Sequence, residues 1–345
     1  MRALKNILRC LLLAAAASGW LCAAAAQPEP AAQPYRTRNV LIMVLDGVRA
    51  DEAWGDRERR NIPRLAELAR QGVVYTNFRN SGETNTNPGH ATLVTGFLEQ
   101  IDNYGEQRPA HPTIFQLWRK ASGQPASAAW VIASKDKLEV LADSADAQWR
   151  GVFRPSADCG LGGGGAMAGY RDDPDTYAVL IKVLARDHPR LVLVNFKDTD
   201  SAGHSGSFSA YVQAIRKLDQ YAADLWKWLQ QDAGYAGATA LFVTTDHGRH
   251  SEGVLDGFVN HGCSCEGCRR LFLVALGPDF RQGVIVDEPR DMVDLAVTIG
   301  KLLAFEVPGS PGKVLHGLFP PRPVPAKTPA RVEKQTEPVL EPAGR

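Results

Sequence analysis

The sequence predicts an α/β fold, namely a doubly wound, mostly parallel sheet with helices on both faces. Three observations lead to this prediction. Five apolar segments are continuous rather than alternating, as expected for strands that are covered on both faces. Segments with helical periodicity lie between them, so that strand and helix alternate along the chain. Such alternation is typical of a parallel sheet flanked by helices.

Each predicted element has its own signature. The strands, in chain order, are NVLIMVL (39–45), AAWVIAS (128–134), LVLVNF (191–196), TALFVTT (239–245) and LFLVAL (271–276). The segment 61–72 predicts a helix, because Asn61 can cap it, Pro63 lies in its first turn and Gly72 can stop it. A second helix is predicted within 211–231, where apolar residues at 211, 215, 218, 222, 225 and 229 form one helical stripe.

Both ends of the chain are predicted to lie outside the folded domain. Residues 1–26 have basic residues, a short apolar core and small residues before a cleavage site, which is the pattern of a signal peptide. The apolar run is short for a membrane span. The chain is therefore expected to be exported, to the periplasm or the medium. Residues 319–345 are Pro-rich and poor in large apolar groups, so a disordered tail is expected, which leaves one domain over 37–318.

The charge balance excludes one class of partner. The chain has 345 residues and a formal net charge of +1, with both signs spread along it. A nucleic-acid-binding surface usually requires clustered positive charge. No such surface is predicted, and a small molecule is the expected partner.

The cysteines that follow residue 26 allow two interpretations. They are Cys159, Cys263, Cys265 and Cys268. Export favours disulfides, with Cys265–Cys268 as a tight loop and Cys159–Cys263 as a longer link, although the sequence does not choose among the three possible pairings. Alternatively, CSCEGC (263–268) is a metal-binding knuckle. Three cysteines would then need a fourth ligand, which the motif does not contain.

Chemistry-bearing side chains follow four of the predicted strands. They are Asp46 after the first, Lys135 and Lys137 after the second, Asp198, Asp200 and His204 after the third, and Asp246 and His247 after the fourth. The carboxyl ends of parallel strands share one edge of the sheet, and ligands bind there. A single Asp or His at a strand end is usually a turn cap, but four such ends in one chain predict a common site.

These residues closely resemble the alkaline phosphatase superfamily. The resemblance is carried by LIMVLDG (41–47), TNPGHATLVTG (86–96), DTDSAGH (198–204) and TTDHG (244–248), in that order. It implies the doubly wound α/β fold of that superfamily and an enzyme with two divalent metal ions, zinc being the expected metal. Two such ions can stabilise the attacking and the leaving oxygen of an in-line displacement.

The resemblance also implies the ligands. One metal ion would be held by Asp46, Asp246 and His247, with Thr86 bound to it as an alkoxide. The second would be held by Asp200, His204 and a later histidine. His261, in FVNHGCSC, stands where the superfamily places that ligand and is preferred to His250.

Thr86 is implied as the nucleophile. A threonine hydroxyl is unreactive at neutral pH, and coordination to a metal is one way to activate it. Pro88 and Gly89 bend the chain, so that a helix begins behind Thr86 and the N–H of Asn87 can face an anion. Thr84 is the alternative nucleophile, but the T-x-P-x-H spacing selects Thr86. The threonine also disfavours a formylglycine sulfatase, which needs Cys or Ser at this position.

The substrate class is predicted from three further residues. VIASKDKLEVL resembles the phosphate-binding segment of bacterial threonine-type alkaline phosphatases, with Lys135 and Lys137 as its cations. Asn103 is the expected phosphate-binding asparagine. Two cations favour a dianionic monoester, so a phosphomonoesterase that acts through a phosphothreonine on Thr86 is predicted. A phosphodiesterase of the nucleotide pyrophosphatase type is the alternative, followed by a sulfatase-like hydrolase and by a domain that binds metal and anion without turnover.

Overall fold

The computed structural model describes residues 35–321, and a central mixed sheet organises them. Its strands are β1 (Asn39–Leu45), β2 (Gly72–Arg79), β3 (Ala129–Ala133), β4 (Ser156–Cys159), β5 (Leu191–Phe196), β6 (Thr239–Thr244), β7 (Arg270–Leu276), β8 (Val284–Val286) and β9 (Arg290–Asp291). The spatial order is β4-β3-β5-β1-β6-β7-β2-β8, and β9 also pairs with β2. The strands predicted from the sequence correspond to β1, β3, β5, β6 and β7.

The sheet is mostly parallel, as predicted, with one antiparallel strand. β1 lies in the centre and pairs in parallel with β5 and β6. β7 runs antiparallel to both of its neighbours, β6 and β2. It therefore starts at the edge where β1, β5 and β6 end. The loop that enters β7 consequently lies at the same edge as the residues that follow those three strands.

Helices cover both faces of the sheet. They are α1 (Pro63–Leu68), α2 (Thr86–Thr95), α3 (Ile114–Ser122), α4 (Asp173–Asp187), α5 (Asp198–His204), α6 (Phe208–Gln231), α7 (Glu266–Arg269) and α8 (Val293–Leu303). On β1, Val40, Ile42 and Val44 face a core that includes α2, α3 and α8. The alternate residues Leu41, Met43 and Leu45 face a second core with α1, α4 and α6. This alternation is the side-chain period of a strand buried on both faces.

The predicted helical stripe is buried in α6. Tyr211, Ile215, Leu218, Ala222, Leu225 and Leu229 all lie in the second core. The helix begins earlier than the apolar stripe, at Phe208, with the side chain of Ser207 accepting a hydrogen bond from the N–H of Ala210. The spacing of apolar residues therefore identified the buried face, whereas the cap determines where the helix starts.

The predicted cap of α1 is wrong. Asn61 does not cap the helix; its amide instead donates to the carbonyl of Glu52. The N–H groups of Arg64 and Leu65 donate to the carboxylate of Asp219 in α6, at 3.1 and 2.7 Å. A side chain from a distant helix thus satisfies the free donors of the first turn. A 3-10 turn (Ala69–Gln71) continues α1, and Gly72 ends it as predicted and also begins β2.

The ends of the chain and the cysteines complete the comparison with the predictions. The segment 1–26 and nearly all of 319–345 lie outside the described residues, so export and a disordered tail remain predictions. No helix within residues 35–321 is both long and apolar enough to cross a membrane. All four cysteines in that range are free thiols. Cys159 is buried in β4, five strand positions from β7 in the sheet order. At about 4.8 Å per strand that is too far for the predicted link to Cys263, since a disulfide requires Cα atoms within about 7 Å.

Candidate active site

The residues predicted as metal ligands lie together along one edge of the sheet. β5, β1 and β6 are adjacent and parallel, so the residues that follow them meet. Asp46 follows β1, α5 follows β5, and Asp246 follows β6. The loop before β7 contributes His261, and the start of α2 contributes Thr86. Segments that are far apart in sequence thus form one polar site.

The first donor group consists of Asp46, Asp246 and His247, which are fully buried and have their ligand atoms within 4.8 Å of one another. His247 Nε2 is 3.3 Å from Asp246 Oδ2 and 3.6 Å from Asp46 Oδ1. Among residues 35–321, neither His247 Nε2 nor Asp246 Oδ2 has a hydrogen-bond partner. Buried polar atoms are nearly always bonded. These two unpartnered ligand atoms therefore fit a metal ion.

The second donor group consists of Asp200, His204 and His261. Residues 200 and 204 are one helical turn apart in α5, which brings His204 Nε2 to 3.2 Å from Asp200 Oδ1. His261 Nε2 is 3.5 Å from Asp200 Oδ1 and 3.2 Å from His204 Nε2. His247 also lies within 4.8 Å of Asp200 and His261, so the two groups adjoin.

Two of the histidines have defined tautomers. The Nδ1 atom of His247 is 2.8 Å from the carbonyl of Gly248, and that of His261 is 2.9 Å from the carbonyl of Thr84. Because a carbonyl only accepts, Nδ1 carries the proton and Nε2 presents a lone pair to the carboxylates. Burial lowers the pKa of His247 to about 3 and that of His261 to about 4. Both rings are therefore neutral near pH 7, the form that binds a metal.

Taken together, the donors fit divalent ions. Carboxylate oxygens, neutral imidazole nitrogens and one hydroxyl form the mixed nitrogen and oxygen set that suits zinc and other first-row metals. The seven predicted ligands are the members of the two groups together with Thr86. All seven lie at this edge of the sheet.

Thr86 is the first residue of α2 and is 1% exposed. The helix approaches the end of β6 so closely that a Cβ on Gly89 would lie 2.8 Å from the carbonyl oxygen of Asp246. Pro88 and Gly89 lie within the first turn of the helix and do not bend the chain before it, contrary to the prediction. The missing side chain of Gly89 lets the helix, and with it the hydroxyl of Thr86, approach the carboxylates. His90 packs beside the first donor group: its Nδ1 donates to the carbonyl of Thr86 at 2.9 Å and lies 3.1 Å from Asp246 Oδ2.

Lys135 lies among the predicted metal ligands, although it was predicted to bind substrate. Its ammonium is 3.0 Å from Asp46 Oδ1, 2.9 Å from Thr86 Oγ1 and 2.7 Å from Asp200 Oδ2. Burial alone would lower the pKa of Lys135, but the carboxylates of Asp200, Asp46 and Asp246 outweigh it and hold the pKa above its ordinary value. The group is therefore a cation and is unsuited to act as a base.

A smaller cluster lies beside Thr86 and contains the other predicted substrate-binding residues. The N–H of Asn87 donates to Asn103 Oδ1 at 3.0 Å, and Lys137 Nζ donates to the same oxygen at 3.0 Å. The side chain of Asn87 donates to the carbonyl of Lys137 at 3.2 Å. Asn87, Asn103 and Lys137 thus form one unit, which we call the anion pocket. It presents an ammonium and amide groups at the start of a helix, where anions bind well.

Two residues outside the predicted ligand set hold the donors in place. Asn195, a polar residue inside the apolar run of β5, donates to Asp46 Oδ2 at 2.8 Å. Arg249 is fully buried and donates to Asp200 Oδ1 at 2.7 Å and to the carbonyl of Val259 at 2.6 Å. A polar residue in an otherwise apolar strand was the available signal for Asn195. The position of Arg249 directly after Asp246-His247-Gly248 is compatible with a substrate contact and with a surface salt bridge, so the sequence left both open.

His250, the alternative to His261, lies outside the two donor groups. Its Nδ1 is 2.8 Å from Asp256 Oδ1, and it is grouped with Cys263 and Cys268. The structure therefore brings His261, and not His250, to Asp200.

The fold and site can be compared with known proteins. The family model of the Metalloenzyme superfamily matches residues 38–261, well over half of the chain. Among curated proteins, the 2,3-bisphosphoglycerate-independent phosphoglycerate mutase of Legionella pneumophila (strain Paris) is 34% identical over 77 residues. That match covers 22% of this chain and only 14% of the mutase, so the similarity spans a small part of that protein.

Two solved structures share the fold. Alkaline phosphatase PafA superposes with a TM-score of 0.59 at 12% identity, covering 83% of this chain and 99% of that chain. Murine ectonucleotide pyrophosphatase/phosphodiesterase 5 superposes with a TM-score of 0.56 at 18% identity, covering 80% of this chain and 97% of that chain. At such low identity these similarities establish the alkaline phosphatase-like fold and nothing finer.

Proposed function

Because the chain belongs to the metalloenzyme superfamily, we propose that it is a metal-dependent phosphomonoesterase that forms a phosphothreonine on Thr86. One observation carries this proposal. A single cation, the ammonium of Lys135, lies within 3.0 Å of Thr86 Oγ1 and of carboxylates from both donor groups. The hydroxyl of Thr86 and the predicted metal ligands thus contact the same positive charge. Positive charge next to a hydroxyl stabilises the alkoxide that acts as the nucleophile.

The two donor groups define what a bound metal would contribute. Asp46, Asp246 and His247 would hold one divalent ion and Asp200, His204 and His261 a second, with zinc as the proposed metal, and together the ions would supply positive charge for the attacking and leaving oxygens. Thr86 Oγ1 would attack phosphorus and give its proton to solvent, forming an O–P bond as the alcohol leaves. Water would then hydrolyse the phosphothreonine.

The anion pocket would hold the phosphoryl group during both steps. The N–H of Asn87 lies at the start of α2, next to Thr86. Lys137 and Asn103 lie close enough to bond each other, so that both can face the same oxygen atoms of a substrate. Hydrogen-bond donors that are already positioned around the negative charge of the transition state make a large contribution to rate enhancement.

A phosphodiesterase is the second candidate, and the position of Lys135 favours it. With Lys135 bound to Asp46 and Asp200, the anion pocket has one lysine rather than two. A monoanionic diester needs less positive charge than a dianionic monoester. The similarity of the fold to a pyrophosphatase/phosphodiesterase also supports this alternative. Phosphomutase activity has weaker support, because the similarity to the Legionella pneumophila phosphoglycerate mutase covers only 14% of that protein.

Turnover of matched aryl substrates separates the candidates. We expect the zinc-loaded protein to hydrolyse the phosphate monoester faster than the corresponding diester, and the sulfate hardly at all. Replacing Lys137 by Met removes a charged hydrogen bond worth about 1.5–3 kcal/mol, so kcat/KM for the monoester should fall by about 10- to 100-fold and that for the diester by less. The exposed Lys182 offers a matched control, and Lys182→Met should change neither. If the wild type instead prefers the diester, and Lys137→Met lowers kcat/KM equally for both substrates, the protein belongs to the phosphodiesterase class.

The same lysine predicts a pH dependence. Burial, together with the charge of Lys135, lowers the pKa of Lys137 to about 8. Its ammonium is therefore present below that pH and is lost as the pH rises through it. The ratio of wild-type to Lys137→Met kcat/KM for a monoester should consequently shrink between pH of about 7 and about 9, since kcat/KM reports groups of the free enzyme. The ratio of Lys137→Arg to Lys137→Met should stay constant over that range, because arginine keeps its charge. A constant wild-type ratio would contradict the role of this ammonium.

A further inference from the structure

A second group of metal-ligating side chains lies outside the proposed catalytic site. His250, Cys263 and Cys268 have ligand atoms within 4.8 Å of one another. His250 is buried at 4% exposure, and Cys268 is fully buried. Cys265 belongs to the same turn, because its N–H donates to Cys263 Sγ at 3.3 Å. We call these four residues the cysteine cluster.

The distance between two of its sulfurs distinguishes a metal site from a disulfide. Cys263 Sγ and Cys268 Sγ are 3.7 Å apart. The sulfurs of a disulfide are about 2.05 Å apart. Two thiolates that each lie about 2.3 Å from a tetrahedral zinc ion are separated by roughly 3.8 Å. The observed separation matches the zinc geometry and does not match a disulfide.

His250 is oriented as a metal ligand usually is. Its Nδ1 is 2.8 Å from Asp256 Oδ1, and Asp256 is in turn held by the side chain of Asn260. The N–H of His250 donates to the carbonyl of Asn260 at 2.9 Å. A histidine that ligates a metal through one ring nitrogen nearly always gives its other N–H to a carboxylate or carbonyl. The contact with Asp256 thus leaves Nε2 for an ion.

Cys265 lies beside the group formed by His250, Cys263 and Cys268 and is the candidate for the remaining ligand. Its sulfur accepts a hydrogen bond from the N–H of Ser251 at 3.5 Å. Residues 265 and 268 have the C-x-x-C spacing, and the N–H of Cys268 donates to the carbonyl of Cys265 at 3.1 Å, which closes a tight turn. We propose that His250, Cys263, Cys265 and Cys268 bind a structural zinc ion. The sequence motif contains only three ligands, and the fold supplies the fourth.

The cysteine cluster is packed against the segments that carry the catalytic ligands. The carbonyl of Cys263 accepts from Thr84 Oγ1 at 2.8 Å, and that of Cys268 from the N–H of Gly248 at 2.8 Å. A Cβ on Gly248 would lie 1.9 Å from the carbonyl oxygen of Gly267, so the two backbones are in direct contact. A zinc ion here would tie together the turn before Thr86, the loop after β6 and the loop that carries His261.

Cobalt substitution of the full chain tests this proposal without any reliance on catalysis. Cobalt bound by thiolates gives a charge-transfer band in the near ultraviolet, which a site made of carboxylates and histidines lacks. We expect that band in the wild type and in Thr86→Ala. Cys268→Ser should lose it together with one equivalent of metal, and Cys159→Ser should keep it, because Cys159 lies in β4, outside the cluster.

A second variant guards against misfolding. His250→Cys keeps four ligands and should retain the metal with a shifted cobalt spectrum, whereas His250→Ala should weaken binding. In the wild-type chain, Cys263, Cys265 and Cys268 should resist alkylation until a chelator is added. Absence of the thiolate band from the cobalt-loaded wild type would overturn the proposal. The proposal would also be overturned if mass spectrometry of the native chain showed the loss of two hydrogen atoms and a disulfide between Cys263 and Cys268.

Discussion

Replacing Thr86 by Ala is expected to lower kcat for the preferred phosphate ester at least about 10⁴-fold, because loss of the nucleophile leaves only binding and charge stabilisation. Thr86 Oγ1 accepts a hydrogen bond from the ammonium of Lys135 at 2.9 Å. The same ammonium also contacts the carboxylates of Asp46 and Asp200. Thr86→Ser keeps a hydroxyl at this position and should retain part of the activity. Steady-state kinetics on the metal-loaded protein measures both effects.

Thr84→Ala is the matched control for this substitution. Thr84 Oγ1 donates to the carbonyl of Cys263 at 2.8 Å and does not contact the donor groups directly. Its loss should cost about 1 kcal/mol of stability and leave turnover within about tenfold of the wild type. Acid quenching during turnover should trap a phosphorylated peptide that contains residue 86 in the wild type and in Thr84→Ala. Substantial turnover by Thr86→Ala, or label on another residue, would rule out the phosphothreonine.

Replacing Asp246 by Asn is expected to have opposite effects on activity and on stability. Asp246, Asp46 and Asp200 bring three carboxylates into a buried site, and Asp246 Oδ2 has no hydrogen-bond partner among residues 35–321. Lys135 and Arg249 bond Asp46 and Asp200 and balance two of the three negative charges. Removing the charge of Asp246 therefore relieves the repulsion that remains in a poorly solvated site. The metal-free variant should therefore melt at a higher temperature than the metal-free wild type, while kcat falls at least about 10³-fold because the first donor group has lost a charged ligand.

Asp294→Asn provides the contrast. Asp294 is also a buried carboxylate, but it lies away from the donor groups, and its Oδ1 accepts from the N–H of Lys313 at 2.7 Å while its Oδ2 accepts from the N–H of Asp291 at 3.3 Å. An amide has one acceptor oxygen and would leave one of these donors unpaired. Its substitution should lower the melting temperature and leave turnover per folded molecule unchanged. Calorimetry after chelation and kinetics after reloading with zinc would measure the two properties separately. A lower melting temperature for Asp246→Asn would show that its carboxylate stabilises the fold rather than serving metal binding.

Local patterns determined much of the architecture. Continuous apolar runs identified β1, β3, β5, β6 and β7, because a strand buried on both faces has no polar alternation to interrupt it. The shorter β4 and the partly buried β2 escaped this criterion, since strands at or near a sheet edge carry polar residues such as Thr76 and Asp158. Asp200 and His204 lie one turn apart in α5, a helix that was not predicted from the sequence.

Convergence of the site was predictable for a related reason. Parallel strands end at one edge, so residues that follow β1, β5 and β6 had to meet, however far apart they are in sequence. The partners that hold them were not predictable. Asn195 orients Asp46, and Arg249 holds Asp200, only because neighbouring strands and a folded-back loop bring them into contact.

By itself, then, the sequence determined five of the nine strands of the described residues, the buried face of α6 and the edge that carries the polar residues, since each of these follows from short-range spacing. The tertiary structure decided every pairing across long separations. Asp219 caps α1 in place of Asn61. His250 joins Cys263 and Cys268, while Cys159 is buried in β4. The physical reason is that a side chain forms hydrogen bonds with the groups that the folded backbone brings within about 3 Å of it. The periodicity of the sequence does not indicate which distant residue will supply those groups.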